Sequence, residues 1–361
     1  MTDRKNLQPL TGVKIVEFEG IGPAPLAGLM LMQMGAEITL IERPGGNALP
    51  DDIKVPQDAL LTRGKHRVAL NVKRPGDLAQ ALQLIASADA LIEGNRPGVM
   101  ERLGLGPQTC ADLNPRLVFG RMTGWGQEGP LAQAAGHDMN YVALTGLMSL
   151  TQRPGHPPML PPTIVGDAVG ALGLVSGIVS GLYQARVTGK GCVVDAAIVD
   201  VLAMLAPLVQ TLHAIGGLAG DQPSVFHDSP FYDRYLCADG RYVTVGAIEP
   251  QFYAELMSRL GLDDVDLGRQ MDRSQWPLLK SRLGALFLTQ QSAHWTELLQ
   301  GTEACYAPVL SLMEAATHPH NQARGLYRVT PQGAIETQRG LCFTALPSAA
   351  VTPLDGAGEA C

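Results

Sequence analysis

Two short segments of the chain place a titratable side chain directly after a glycine. His137 follows Gly136 in the segment GHDMNY, and Asp167 ends the segment VGD. Imidazole and carboxylate groups commonly move protons in general acid–base catalysis. Both residue types also have structural uses, because a histidine can serve only as a hydrogen-bonding group and an aspartate can be the N-cap of a helix. A helix N-terminus also stabilises a nearby negative charge, so capping and catalysis by Asp167 are compatible.

A second set of residues could bind an anionic ligand. Seven cations lie at or near predicted strand ends: Arg43, Arg63, Lys65, Arg67, Lys73, Arg96 and Arg102. Any one of them could equally belong to a solvated surface. Because the carboxyl ends of parallel strands meet at one edge of a sheet, the group as a whole can converge on one ligand.

The composition limits the classes of function. The chain has 361 residues and a formal net charge of −7, with 46% hydrophobic and 17% charged residues. This is the composition of a globular protein, and its net negative charge argues against nucleic acid or an anionic membrane as a partner. The six cysteines show no C-x-x-C spacing, and the eight histidines show no metal-site spacing. We therefore expect a reduced, cytoplasmic protein without a metal site.

Short β-branched runs alternate with helical patterns in the first part of the chain. The predicted strands are VKIVEF (13–18), EITLI (37–41), 68–71, 90–93 and LVFGR (117–121), and the predicted helices cover 26–34, 75–87 and 99–103. This alternation predicts an α/β fold with a Rossmann-like, doubly wound parallel sheet in a large domain. The predicted organisation is a large domain over 1–195 and 320–361, linker helices over 196–228, and a smaller α/β domain over 229–319.

The later part of the chain is predicted to be mainly helical at first. A long helical region runs from Asp167 to about Gly220, and its apolar stretch 169–185 is predicted to be a buried helix rather than a membrane span. The smaller domain is predicted to contain a hairpin that turns at Asp239-Gly240, a helix over 250–261 and helical patterning over 276–299.

The turn after the first strand partly matches a dinucleotide-binding fingerprint. Gly20 and Gly22 lie between a strand and a helix, and Glu42 ends the next strand. The third glycine is absent, and Pro23 reduces the number of N–H groups that could bind a pyrophosphate. Arg43 also places a cation next to the ribose position. We therefore do not expect NAD binding, although the loop lies at the edge where ligands bind.

Several segments together carry a family resemblance. They are GIGPAPLAGLMLMQMGAEITLIERPG (20–45), RGKHRVALNVK (63–73), EGNRPGVMERLGLGP (93–107), GHDMNY (136–141), VGD (165–167), GKGCVVDAAIVD (189–200) and VGAIEPQFYAELMSRLGL (245–262). This combination resembles the family III CoA-transferases, and most closely their racemase branch, the α-methylacyl-CoA racemases. The resemblance implies an enzyme that inverts the α-carbon of 2-methylacyl-CoA thioesters by proton transfer through an enolate. It also implies an interlocked homodimer and no separate cofactor, since CoA is part of the substrate.

The resemblance also implies roles for individual residues. His137 and Asp167 would be the two proton-transfer groups, one on each face of the α-carbon, and Glu249 would orient His137. From the residues alone, Glu249 could equally be a surface carboxylate at the start of a helix. The implied CoA-contacting positions are Arg43, Leu70, Asn71, Val72, Lys73, Gly94, Asn95, Arg96, Arg102, Gly136, Asp138, Met139, Asn140 and Tyr141. Arg63, Lys65 and Arg67 are further candidates for the CoA site.

Two other functions are compatible with the same motifs. In a CoA-transferase of this superfamily, the aspartate that matches Asp167 is a nucleophile that forms an acyl anhydride. The resemblance also implies that transferases of the oxalate type carry a mobile glycine-rich loop that shields the anhydride, and at that place this chain has VGAIEPQF (245–252) instead. A CoA-binding protein without catalysis is the third possibility. His137, together with VGAIEPQF in place of the glycine-rich loop, favours the racemase over the transferase, and the presence of His137, Asp167 and Glu249 together argues against a protein without catalysis.

Overall fold

Six parallel strands form the central sheet, in the order β3-β2-β1-β4-β5-β6. They are β1 (Lys14–Phe18), β2 (Glu37–Glu42), β3 (His66–Ala69), β4 (Ala90–Glu93), β5 (Val118–Thr123) and β6 (Cys192–Ala197). The structure is a computed structural model that describes residues 7–46, 60–152, 157–218, 223–338 and 340–346. The sheet confirms the predicted α/β fold.

Helices cover both faces of this sheet, because successive strand residues point to opposite sides. Ile15 belongs to the apolar cluster beneath α1 (Pro23–Gln33) and α6 (Val169–Thr188). The next residue, Val16, belongs to the cluster on the opposite face. That face is covered by α2 (Pro75–Ala86), α3 (Val99–Arg102) and α4 (Pro107–Leu113).

The strand order reverses direction at β1, which has β2 on one side and β4 on the other. The chain leaves β1 and β4 towards opposite sides of the sheet, so a crevice opens between the loops that follow these two strands. In doubly wound sheets a ligand binds in this crevice. The candidate site described below lies there.

Helix α6 packs tightly against the sheet and against α7 (Ile198–Leu205), because one of its faces carries glycine. A Cβ atom added to Gly173 would lie 2.4 Å from Val201, and one added to Gly177 would lie 2.4 Å from Val194. Among the described residues one helical stretch, Ile164–Thr188, is long and apolar enough to cross a membrane by length and composition. A helix that packs inside a globular domain passes the same test, and the inner face of α6 packs in this way.

The second α/β unit contains the antiparallel sheet β7-β8-β9, formed by Tyr232–Leu236, Tyr242–Gly246 and Tyr306–Pro308. Its own apolar cluster is centred on Phe231, Tyr253 and Phe287, which have no exposed surface or almost none. The helices of this unit are α9 (Val225–Asp228), α10 (Pro250–Arg259), α11 (Trp276–Phe287), α12 (Ser292–Leu299), α13 (Leu312–Thr317) and α14 (Pro319–Arg324). A hairpin of β10 (Tyr327–Val329) and β11 (Ile335–Thr337) follows.

Among the described residues, the remaining helical elements are α5 (Asp138–Leu144), α8 (Pro207–Ala214), two 3₁₀ segments (Leu147–Thr151 and Leu267–Arg269) and a π-helical turn (Ile164–Ala168) that runs directly into α6.

The structure corrects one expectation about the secondary structure. The region predicted as helical from Asp167 to Gly220 contains β6, whose valine-rich sequence pairs with β5 at the sheet edge. Of the uses that the sequence left open for Asp167, the N-cap position is ruled out, because Asp167 lies inside the π-helical turn. The helical patterning predicted over 276–299 is present as two helices, α11 and α12. The limits of the domains stay predictions, and β6 spans the predicted boundary at residue 195.

Candidate active site

A cavity of about 360 Å³ lies at the point where the strand order reverses. It is lined by residues 21–24, 94–97, 122–125, 132, 134–137, 141, 167 and 198. These segments follow β1, β4 and β5 or belong to the α5 and α6 regions, so widely separated parts of the sequence meet here. His137 and Asp167 both line this cavity.

Asp167 lies in the π-helical turn that precedes α6. The N–H of Ala168 donates to the carbonyl of Thr163, five residues earlier, at 3.0 Å. Thr163 itself has a left-handed backbone with φ 61°, which is unusual for a β-branched residue and frequent at functional sites. Burial, followed by the nearby charge of Asp138, raises the pKa of Asp167 to about 6, while His137 lowers it. This carboxyl can therefore give or take a proton near neutral pH.

His137 directly precedes α5 in an extended conformation and is exposed. Its N–H donates to Oδ1 of Asn140 at 3.0 Å, and this hydrogen bond satisfies the first turn of the helix. The residue before it, Gly136, has its carbonyl oxygen bound by the hydroxyl of Tyr141. The Tyr141 ring packs edge-on against Trp125 with centroids 4.7 Å apart. The loop that carries His137 is therefore held at both ends.

Two glycines allow this aromatic pair to reach the loop. A Cβ atom on Gly124 would lie 2.0 Å from the Tyr141 ring, and one on Gly136 would lie 2.8 Å from the rings of both Trp125 and Tyr141. Any other residue at these positions would displace the rings. A third glycine, Gly22, has φ 67° at the start of α1, and a Cβ atom there would lie 3.0 Å from Oδ2 of Asp167. The turn after β1 therefore approaches the Asp167 carboxylate directly.

The loop after β4 carries one of the predicted cations, Arg96, and is held in place by the buried carboxylate of Glu93. The N–H of Asn95 donates to the buried carboxylate of Glu93 at 2.6 Å. The guanidinium group of Arg121 binds Glu93 at 3.1 Å and Glu101 at 2.9 Å. Burial raises the pKa of Glu93, and Arg121 and Asn95 oppose that effect. Arg96, on the same loop, is exposed and lines the cavity.

The other predicted CoA-contacting positions surround the loop to different extents. The guanidinium group of Arg43 lies 3.4 Å from Oδ1 of Asn95, and Arg102 is exposed at the end of α3. Gly94 lines the cavity. Met139 and Asn140 are exposed on α5, and the side chain of Met139 is 62% exposed.

The segment from Leu70 to Lys73 follows β3. The side chain of Leu70 is buried in the core, so only its main chain could reach a ligand. The N–H of Asn71 donates to Asp77 at 2.8 Å, and Oδ1 of Asn71 accepts the N–H of Lys73 at 3.2 Å. Val72 packs against the core, whereas Lys73 is exposed. None of these four residues lines the cavity that contains His137.

The three further candidates for the CoA site have protein partners. Lys65 is wrong as a CoA contact, because its ammonium group is completely buried in an ion pair with Glu17. Arg67 binds the carboxylate of Glu42 at 2.7 Å. Arg63 binds Glu336 of the C-terminal hairpin.

Within the described chain, Glu249 is not part of the cavity that His137 and Asp167 line. It occupies the N-cap position of α10 in the second unit with φ −70°, without a capping hydrogen bond from its side chain. Burial raises the pKa of the Cys305 thiol, and the charge of Glu249 raises it further. One copy of the chain thus unites two of the three predicted catalytic residues and leaves the third elsewhere.

Sequence reasoning missed several residues of the site. Gly22 was considered only for a dinucleotide, and its contact with Asp167 depends on the fold. Trp125 and Gly124 lie in the glycine-rich segment TGWGQEG, and nothing in the sequence connects this segment with the His137 loop. Ile198 lines the cavity from α7 and gave no signal that could have been read from its residue type. Among the described residues, no group of three or more His, Cys, Asp and Glu side chains could hold a metal ion.

Comparison with known proteins places this arrangement in a family. Residues 10–354 match CoA-transferase family III. The chain is 37% identical over 321 residues to alpha-methylacyl-CoA racemase of Mus musculus, covering 88% of this chain and 82% of the relative. It is 30% identical over 343 residues to acetyl-CoA:oxalate CoA-transferase of Acetobacter aceti, covering 90% and 87%. A crystal structure of a hypothetical protein from Mycobacterium tuberculosis superposes with a TM-score of 0.78 and 25% identity, covering 94% of each chain.

Proposed function

The chain belongs to CoA-transferase family III, whose members act on acyl-CoA, and from that membership we propose that it is a racemase of 2-methylacyl-CoA thioesters. One observation carries the proposal: His137 and Asp167 line the same cavity, and the pKa of Asp167 is raised to about 6. Inversion at an acidic carbon requires two proton-transfer groups close to that carbon, and an imidazole and a carboxyl group can serve in this way. The greater similarity to a racemase, 37% against 30% for the oxalate transferase, points the same way.

In the proposed reaction the α-carbon of the thioester lies between the two groups. One of them removes the α-proton and an enolate forms, and the other then delivers a proton to the opposite face. His137 and Asp167 exchange these roles between the two epimers. The exposed cations Arg43, Arg96 and Arg102 would bind the phosphate groups of CoA, because fixed cations recognise phosphates strongly.

The proposal includes a homodimer in which Glu249 of one copy approaches His137 of the other. Two observations support it. Glu249 lies outside the cavity of its own copy. Helices α6 to α8 also expose large apolar side chains: Leu172, Tyr183, Val187, Met204, Leu208 and Ile215 are each at least 51% exposed. A second copy of the chain could cover such a face, since exposed apolar patches mark association surfaces.

Two incubations separate the proposed reaction from the transferase reaction. In the first, one epimer of a 2-methylacyl-CoA is incubated with the protein in deuterated water without an acceptor acid. We expect deuterium at the α-carbon together with loss of stereochemical purity. If no exchange occurs there and CoA passes to a carboxylate that is added in the second incubation, the chain is a transferase that uses Asp167 as a nucleophile. If neither reaction occurs but the thioester binds, the chain is a CoA-binding protein.

The matched variants for this experiment are His137→Gln and His294→Gln. His294 is an exposed histidine on α12 of the second unit, packed against Trp295 with ring centroids 5.0 Å apart. We expect His137→Gln to lower the racemisation rate by about 10²–10⁴-fold and His294→Gln to leave it unchanged. Racemisation that survives His137→Gln at the parent rate would rule out the proposed role of His137.

A further inference from the structure

The carboxylate of Asp138 points into the protein rather than towards the cavity. The residue is 8% exposed and is the first residue of α5, immediately after His137. Its Oδ1 accepts two hydrogen bonds, from the N–H of Gly166 and from the N–H of Asp167, each at 2.7 Å. A single oxygen atom thus connects the loop of one proton-transfer residue to the main chain of the other.

The main chain at Gly166 packs closely against this oxygen atom. A Cβ atom on Gly166 would lie 2.5 Å from Oδ1 of Asp138, so only glycine allows the main chain to approach so closely. The two N–H donors belong to the π-helical turn, and an N–H in the first turn of a helix has no partner within that helix. A carboxylate that accepts two N–H groups forms charge-assisted hydrogen bonds, which are about twice as strong as neutral ones.

We propose that Asp138 is the positioning residue of this site: its carboxylate holds the main chain at Asp167 against the loop of His137, so that both groups face one substrate carbon. This inference rests on the proposed proton-transfer function and adds a residue that acts through another. It assigns the Asp138 side chain a role different from the CoA contact expected from the sequence.

The charge of Asp138 has a second consequence. The charged and titratable groups that act on the Asp167 carboxyl are Asp138 and His137. The charge of Asp167 in turn raises the pKa of the Tyr141 hydroxyl, after burial, and the charge of Arg96 lowers it. The negative charge of Asp138 raises the pKa of Asp167, whereas His137 lowers it. Removal of that negative charge therefore lowers the pKa of Asp167, while burial continues to hold it above its ordinary value.

Two substitutions at Asp138 separate position from charge. Asp138→Asn keeps an oxygen that can accept both N–H groups and removes the charge. Asp138→Ala removes the acceptor as well. The matched control is Asp266→Asn in the second unit, where the carboxylate of Asp266 accepts the N–H of Gly268 at 2.9 Å.

The measurements are kcat and KM for epimerisation as a function of pH, and a ¹³C NMR titration of the Asp167 carboxyl carbon. We expect Asp138→Ala to lower kcat about 100-fold with KM changed by less than about 3-fold, since a small misplacement of a reacting group has an effect of that size. The kcat of Asp138→Asn should be much closer to that of the parent protein than the kcat of Asp138→Ala is. Asp138→Asn should also move the acid limb of the kcat profile and the NMR titration of Asp167 to lower pH, and Asp266→Asn should change neither.

The outcomes distinguish this inference from the proposed function. If the parent protein does not epimerise its substrate, the proposed function fails, and the NMR titration of Asp167 still tests the position of Asp138. If the parent epimerises and Asp138→Asn leaves both the NMR titration and the pH profile unchanged, the inference is overturned. Equal losses of kcat in Asp138→Ala and Asp138→Asn without a shift in the titration would overturn it as well.

Discussion

The ammonium group of Lys65 lies 2.7 Å from both carboxylate oxygens of Glu17, and neither side chain has any exposed surface. Lys65 also donates to the carbonyl of Pro25 in the first turn of α1, at 3.0 Å. Gly28 of the same helix allows this approach, because a Cβ atom there would lie 1.8 Å from the Glu17 carboxylate. The buried pair therefore fixes the start of α1, the element that brings Gly22 against Asp167.

The first prediction concerns this ion pair. Removing one member leaves an uncompensated buried charge, so we expect Lys65→Met to lower the free energy of unfolding by about 3–5 kcal/mol. The double substitution Glu17→Gln with Lys65→Met should recover a large part of that loss, because no charge is then buried alone. Urea unfolding measures both. Arg259→Met, at a half-exposed pair with Glu255, is the control and should change the stability by less than about 1 kcal/mol. Equal effects of Lys65→Met and Arg259→Met would contradict the assignment.

The second prediction follows from a pair of bases that act on opposite faces. We expect His137→Gln and Asp167→Asn each to lower the racemisation rate by about 10²–10⁴-fold. Each variant should nevertheless exchange the α-proton of one epimer with solvent deuterium, and the two variants should prefer opposite epimers. Deuterium exchange measured by mass spectrometry on each pure epimer tests this. If both variants retain exchange with the same epimer, His137 and Asp167 do not serve opposite faces.

The third prediction concerns stability and pH at Asp167. Its folded pKa of about 6 lies above the ordinary value of 3.8, so the folded state binds this proton more tightly than the unfolded state. The ionised carboxylate therefore destabilises the fold, and this cost is small near pH 4 and grows as the pH rises through about 6. We expect Asp167→Asn to raise the free energy of unfolding by about 1 kcal/mol at about pH 8, after allowance for solvent screening.

The test of this prediction is urea unfolding at about pH 5 and about pH 8. The gain from Asp167→Asn should shrink at the lower pH, since the parent carboxyl is then largely protonated. Asp266→Asn removes an exposed capping carboxylate and serves as the control, with no gain expected at the higher pH. A gain from Asp167→Asn that is independent of pH would show that its cause is not the charge.

The fourth prediction uses the glycine beneath Tyr141. Because a Cβ atom on Gly124 would lie 2.0 Å from the Tyr141 ring, Gly124→Ala must displace the ring and the His137 loop that it holds. We expect kcat to fall about 100-fold, with a loss of about 1–3 kcal/mol in unfolding free energy from overpacking. Gly284→Ala in α11 is the control, since nothing lies within 4 Å of a Cβ atom there. Steady-state kinetics and thermal unfolding, measured on both variants, test the expected losses of kcat and stability.

The fifth prediction concerns the exposed apolar face of α6. Tyr183 is 72% exposed and Val187 is 66% exposed in a single copy of the chain. If a second copy covers this face, Tyr183→Glu buries a charge at the interface and should convert the dimer to a monomer in sedimentation velocity. The loss of activity that follows should resemble that of Glu249→Gln in the intact dimer. Parent protein that sediments as a monomer at micromolar concentration would contradict the proposed homodimer.

Local sequence patterns predicted the parts of the fold that depend on local physics. The alternation of β-branched runs and helices correctly predicted five of the six strands in the large sheet, within a few residues. β6 was missed because its apolar residues join a longer apolar stretch that reads equally well as helix, and its partner β5 lies about seventy residues earlier. Residue types alone could not decide whether Asp167 caps α6, because aspartate commonly does so and the π-helical turn gives no signal in the sequence.

The candidate site, like the fold, was predictable from the sequence only in part. The family resemblance of the motifs GHDMNY and VGD pointed to His137 and Asp167, whereas the residue types alone left structural uses open for both. The sequence could not show which cations are available to a ligand and which are already paired with a carboxylate of the protein. Lys65 and Arg96 look alike in sequence, but only the fold shows that one is buried against Glu17 and the other is exposed beside the cavity. Ion-pair partners far away in sequence decide which charge is available to a ligand.

The π-helical turn at Ile164–Ala168 can be regarded as one residue inserted into the beginning of α6. Each residue of an α-helix turns the chain by roughly 100°, so deletion of a single residue from this turn would let α6 continue as a regular helix. The Asp167 side chain would then rotate by about that angle, away from Gly22 and the cavity. The direction in which the Asp167 carboxylate points thus depends on the number of residues in the turn that precedes α6. A one-residue deletion here would disable the site although the side chains that line the cavity are retained.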